Sequence, residues 1–138
     1  MVNQFQINSL LELNLVVDEL EQLISFQKIF ILHGDLGSGK TTLIKKLLER
    51  LDVHHVNSPT FSIINNYYSS VKGEIYHVDG YRIENEDEVE NLGFQDIIDE
   101  DCLCFIEWPE KFLNFLPNNY VEIKIKVLNT QRIITLSL

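Results

Sequence analysis

Eight consecutive residues carry the clearest chemistry in the chain: Gly34-Asp35-Leu36-Gly37-Ser38-Gly39-Lys40-Thr41, of the form G-x-x-x-x-G-K-[ST]. Gly34, Gly37 and Gly39 let the backbone approach phosphate oxygens and take dihedrals that side chains forbid. The amides from Asp35, Leu36, Gly37, Ser38 and Gly39 through Lys40, Thr41 and Thr42 are then free to point at an anion, with a helix dipole behind them. The Lys40 ammonium suits the β- and γ-phosphates, and the Thr41 hydroxyl suits Mg²⁺. The pattern implies that a nucleoside triphosphate is bound.

Such a site needs an acid at the end of a buried strand beside the loop. Leu103-Cys104-Phe105-Ile106 is an apolar run that ends in Glu107, at a strand's carboxyl end, where ligands bind in open α/β sheets. Glu107 is therefore assigned to Mg²⁺, directly or through water. Ile75-Tyr76-His77-Val78-Asp79 also ends in an acid, but it alternates and belongs to a hairpin, so a half-exposed strand is expected. Asp79 is assigned to orienting the attacking water or a metal-bound water. Either acid also reads as a plain strand end, a weaker alternative for Glu107 than for Asp79. Thr60, after Pro59, has the setting of a threonine that senses the γ-phosphate, or of an ordinary turn residue. Arg82 would stabilise charge on the transferring phosphoryl group, or pair with nearby acids. Trp108 belongs either to the core or to a partner contact.

The elements that must position these groups follow from periodicity. Lys28 to His33 reads as a buried strand before the loop, and Thr42 to Leu51 as a helix with Leu43, Ile44, Leu47, Leu48 and Leu51 on one face. A strand near Gln4 to Ile7 leads to a helix over 9–25, capped by Ser9, with Leu10, Leu13, Val17, Leu20 and Ile24 as its apolar stripe. Asn57 to Thr60 crosses irregularly because Pro59 forbids regular pairing. Phe61 to Ser69 and Glu74 to Asp79 form a hairpin about Val71-Lys72-Gly73. One or two short helices surround Asn91 to Phe94. Cys102 to Ile106 lacks alternation and suits a central parallel strand. Tyr120 to Leu128 and Arg132 to Leu138 form a second hairpin about Asn129-Thr130. The expected fold is α/β: a P-loop NTPase-like, three-layer domain with a mixed, partly parallel sheet and two antiparallel hairpins.

At 138 residues, the chain is expected to form one domain, residues 1–138. Hydrophobic residues make up 45% and aromatics 10%, as in globular proteins. No apolar run is long enough to span a membrane, and the N-terminus lacks a signal-peptide pattern. Cys102 and Cys104 are two apart in an apolar run, which favours reduced core thiols over a disulfide or metal pair. A cytoplasmic location is expected. The formal net charge of −10 argues against broad contact with a nucleic-acid backbone. Between Arg82 and Lys111 there are eleven acids and no Lys or Arg. That stretch reads as a solvated face, or alternatively as an acidic docking surface for a basic partner. A small-molecule kinase would need a lid with several arginines, whereas Arg50, Arg82 and Arg132 are widely separated. An Asn-Lys-x-Asp guanine-reading motif is absent from the sequence, which argues against a GTP switch more strongly than against a kinase.

The same residues together resemble one family, the bacterial ATPase of tRNA threonylcarbamoyladenosine biosynthesis, TsaE. The similarity rests on Gly34 to Thr42, Ser58-Pro59-Thr60-Phe61, His77-Val78-Asp79-Gly80-Tyr81-Arg82, Leu92-Gly93 and Ile106-Glu107-Trp108-Pro109-Glu110. Leu13, Val17 and Gly80 depart from the family pattern. The resemblance implies a cytoplasmic protein that binds ATP and Mg²⁺, hydrolyses ATP weakly alone, and is stimulated by a TsaB–TsaD type pair. That pair would install threonylcarbamoyl on adenosine 37 of tRNA, with the tRNA held by the partners. Arg132, in the C-terminal hairpin, is implied as a nucleotide contact. A nucleotide-gated binding module and a small P-loop kinase are the alternatives.

Overall fold

A computed structural model of the chain describes residues 2–54 and 62–138. Thr60, with Ser58, Pro59 and Phe61 around it, lies outside the described residues, as does the expected irregular crossing there.

Among the described residues, seven strands form one sheet: β1 (Val2–Ile7), β2 (Ile29–His33), β3 (Ile64–Ser69), β4 (Gly73–Asp79), β5 (Leu103–Glu107), β6 (Val121–Leu128) and β7 (Gln131–Ser137). Their spatial order is β1-β7-β6-β2-β5-β4-β3. The four central strands, β6, β2, β5 and β4, run parallel. The expected hairpins, β3–β4 and β6–β7, hang antiparallel from that core, and β1 closes the far edge against β7. The mixed sheet is thus a parallel centre with antiparallel margins.

Burial follows from this order. From Ile29 to Leu32 every residue of β2 is buried, and so is every residue of β5. That is the pattern of strands covered on both faces. On one face, α1 (Leu13–Leu23) and α2 (Lys40–Arg50) pack with Phe30, Leu32, Ile75, Leu103 and Phe105 in one core cluster. On the other, α3 (Glu86–Asn91), α4 (Phe94–Asp99) and two 3₁₀ turns cover Ile29, Ile31, Tyr76, Val78, Cys104 and Ile106. These are the three layers that the periodicity predicts.

Two expectations are corrected. The first helix begins at Leu13, not near Ser9. Leu10 is 66% exposed and does not belong to the core stripe, which consists of Leu13, Val16, Val17, Leu20 and Leu23. Ser9 Oγ accepts from the Glu12 amide in a turn that precedes the helix, so it does not cap the helix itself. The second correction concerns β4. Its residues Ile75, Tyr76, His77 and Val78 are all buried, because it is an internal strand with one core cluster over Ile75 and the opposite one over Tyr76 and Val78. Alternation in the sequence disguised an internal strand.

The acidic stretch folds into α3 and α4. Asn85 caps α3 by accepting from the Glu88 amide at 3.1 Å, and Glu86, Asp87 and Glu88 occupy its first turn, where the dipole favours them. Among the described residues, no helix is long and apolar enough to cross a membrane.

Candidate nucleotide site

The glycine-rich loop connects β2 to α2, as the sequence requires. Gly37 has φ +76° and Gly39 φ +108°, both in the left-handed region that favours glycine. Gly34 is constrained by space: a Cβ there would stand 2.5 Å from Ser38 Oγ. Gly39 ends the loop, and α2 opens with Lys40, Thr41 and Thr42. The amides of a helix's first turn lack partners within it, so they present donors at the positive end of the dipole. Ser38 is 1% exposed, and its hydroxyl has no hydrogen-bond partner among the described residues. A cradle with an orphaned donor is what a phosphate fits.

The loop and the ends of β4 and β5 enclose a cleft of about 320 Å³, lined among others by Lys40, Thr41, Asp79, Glu107, Trp108 and Arg132. Thr41 Oγ1 lies 3.1 Å from both Oε1 and Oε2 of Glu107 and donates to them. Glu107 is only 4% exposed. Asp79 and Glu107 are register partners on adjacent parallel strands, so the two acids stand side by side. Asp79 is half-buried, and its Oδ1 accepts from the Tyr81 amide at 3.0 Å.

Lys40 is folded onto its own loop. Its Nζ donates to the Gly34 and Asp35 carbonyls and stands 4.2 Å from the centre of the Trp108 ring. Burial draws the ammonium below its usual pKa, against the opposing pull of Glu107, Asp79, Asp35 and Glu110. Trp108 has φ +52°, uncommon for a bulky residue, and also packs against Tyr81 with ring centres 5.1 Å apart. A cation over an indole face gains energy, so Trp108 serves as a seat for Lys40 rather than as plain core.

Arg132 reaches the loop from β7, donating Nε–H to the Ser38 carbonyl at 2.7 Å. An apolar pocket of about 270 Å³ adjoins the cleft and shares Ser38, Gly39, Thr42 and Arg132 with it. Its remaining wall comes from Ile7, Asn8, Ser9, Leu10, Leu13, Ile125 and Ile134. Leu36 is 68% exposed at the loop's tip, and Asp35 is exposed beside it.

The structure therefore brings together Gly37 to Thr42, Asp79, Glu107 and Arg132. Arg82 is exposed in the turn after β4 and is not among the residues that line the cleft. Sequence reasoning gave His77 no role, yet its Nε2 lies 2.5 Å from Glu107 Oε2. The signal was present: His77 and Asp79 are two apart on one strand and share a face. The wall of the adjoining pocket carried no such signal, because β1, α1, β6 and β7 meet there only on folding.

Parallel strands flanked by helices, with this loop between β2 and α2, define a P-loop NTPase-like protein. The crystal structure of Bacillus subtilus YdiB superposes with a TM-score of 0.66 at 27% identity, covering 99% of this chain and 86% of that one. A family model described as threonylcarbamoyl adenosine biosynthesis protein TsaE matches residues 7–134. The tRNA threonylcarbamoyladenosine biosynthesis protein TsaE of Borreliella burgdorferi is 36% identical over 112 residues, which are 80% of this chain and 81% of that protein. The Bacillus subtilis protein of the same name is 41% identical over 99 residues, which are 71% of this chain and 61% of the relative. The chain belongs to the TsaE family.

Proposed function

We propose that the chain is a Mg²⁺-dependent ATPase that supports threonylcarbamoylation of adenosine 37 in tRNA. The observation that carries this reading is the Thr41 hydroxyl held against the buried Glu107 carboxylate at the mouth of the glycine loop. Family membership supports the pathway, since the relatives' names place them in tRNA threonylcarbamoyladenosine biosynthesis.

The amides of Gly37 to Thr42 receive the phosphates. The apolar pocket bounded by Ile7, Leu13, Ile125 and Ile134 takes the adenine. Lys40 exchanges the carbonyls of Gly34 and Asp35 for β- and γ-phosphate oxygens. Thr41 and Glu107 supply the oxygen ligands that a hard divalent cation prefers. Mg²⁺, when bound there, neutralises charge on the phosphates. Asp79 orients the water that attacks the γ-phosphorus in line, and the bond to the β–γ bridging oxygen breaks to leave ADP and phosphate. Arg50 is tied to Asp18 and Glu21, so of the three arginines only Arg132 reaches the loop. That distribution suits water as acceptor better than a kinase's arginine lid.

The active partner is a TsaB–TsaD type pair, which holds the tRNA; the acidic chain meets the nucleic acid only through it. The test is ATP turnover with and without that pair. Wild type should be slow alone and faster with the pair, while Lys40→Ala and Glu107→Ala should each lose at least roughly 100-fold of the stimulated rate. Wild-type rates in both variants would sink the site assignment. No stimulation would sink the partner assignment.

A further inference from the structure

Among the described residues, His77 is a buried titratable side chain that the reaction scheme leaves unused. It is fully buried, 0% exposed, in the middle of the internal strand β4. Its Nε2 makes one bond, to Glu107 Oε2, and its Nδ1 has no hydrogen-bond partner among the described residues. Of the two neutral tautomers, only the one with hydrogen on Nε2 makes that bond. The other would set a lone pair against a carboxylate oxygen and leave a buried N–H without an acceptor.

Glu107 thus sits between two donors, His77 Nε2 on one oxygen and the Thr41 hydroxyl on both. Without His77, one buried carboxylate oxygen would keep only the Thr41 hydroxyl, and rotation about the terminal torsion would be unopposed. With it, the carboxylate plane is held from β4 as well as from Thr41 at the start of α2. The Thr41 hydroxyl keeps its lone pairs for a cation while it donates its proton to Glu107.

We propose that His77 is a positioning residue that fixes the Glu107 carboxylate so that Glu107 and Thr41 present oxygen ligands to the nucleotide's divalent cation. The inference rests on the nucleotide–Mg²⁺ reading above. Partners of this kind, one shell out from the metal, typically change metal affinity about 10–100-fold when removed.

The test uses two variants of similar shape. His77→Gln carries its amide nitrogen where Nε2 lies, and His77→Asn carries it where Nδ1 lies, out of reach of Glu107. ADP affinity is measured calorimetrically with Mg²⁺ and with EDTA for wild type and both variants. In EDTA all three should agree within about 3-fold. The gain on adding Mg²⁺ should fall about 10-fold or more in His77→Asn and return in His77→Gln. A full gain in His77→Asn would overturn the role of His77 while leaving the site intact. If wild type gained nothing from Mg²⁺, the nucleotide–metal reading would fall first and the inference with it. Nitrogen-15 spectra of the nucleotide-free wild type supply a check that needs no variant to fold. Hydrogen on Nε2 and a bare Nδ1 support the assignment, and the reverse tautomer overturns it.

Discussion

At the level of single residues, the site is held by very short spacings between groups that have no slack. Gly80 is the clearest case. Its amide donates to the Glu107 carbonyl at 2.8 Å, and a Cβ at Gly80 would stand 2.3 Å from the Trp108 carbonyl and 2.7 Å from Phe112 Cε2. The nearest of these is backbone, which cannot rotate away. Gly80→Ala should therefore destabilise the fold by about 1–3 kcal/mol and displace Trp108, with a matching loss of nucleotide affinity. Chemical denaturation and calorimetric titration read the two effects, and a variant with unchanged midpoint and affinity would contradict the crowding. This glycine stands out in the sequence only as a departure from the family pattern. Its need is set by Trp108, twenty-eight residues later in the chain.

At the level of elements, helical periodicity located α1 correctly but overran its start. Leu10 fits the stripe by spacing, yet the turn formed with Ser9 and Glu12 keeps it out of the core, where it lines the pocket beside the loop. Leu20 is 1% exposed and sits within the core on the same face as Val16 and Val17. Leu20→Ala should thus cost about 2–5 kcal/mol by leaving a cavity. Leu10→Ser should change stability by less than about 0.5 kcal/mol, with its effect falling on nucleotide binding instead. Equal losses of stability in the two variants would restore Leu10 to the core stripe. The strands show the opposite bias. An unbroken apolar run marks β5 as internal, while alternation makes the equally internal β4 look half-exposed. His77 is a polar residue buried inside with its Nε2 paired to Glu107, and so it mimics an outward-facing position in the sequence.

At the level of the whole molecule, the two cysteines report how completely the sheet is covered. Both are free; Cys104 is buried in the internal strand β5 and Cys102 is half-buried just before it. Burial pushes the Cys104 thiol up to about 12. In the unfolded chain a thiol loses its proton near pH ~8.5, so above that pH the unfolded state holds fewer protons than the folded one. Stability therefore falls as pH rises from roughly 8.5 towards the folded value, and below that window this thiol adds no pH dependence. Denaturation series between about pH 8 and pH 10.5 should show a steeper decline for wild type than for Cys104→Ala. Parallel slopes would mean that the centre of the sheet is wetter than its burial indicates. Read along the sequence alone, the loop, its flanking strand and helix, the two hairpins and the buried Glu107 strand are all legible, because each is written in local spacing and periodicity. Tertiary structure decided the rest. Strand order put Asp79 beside Glu107, brought Arg132 from β7 onto Ser38, built a pocket from β1 and β6, and left Arg82 in solvent. Contacts between residues far apart in sequence depend on which strands become neighbours, and no local pattern of side chains records that choice.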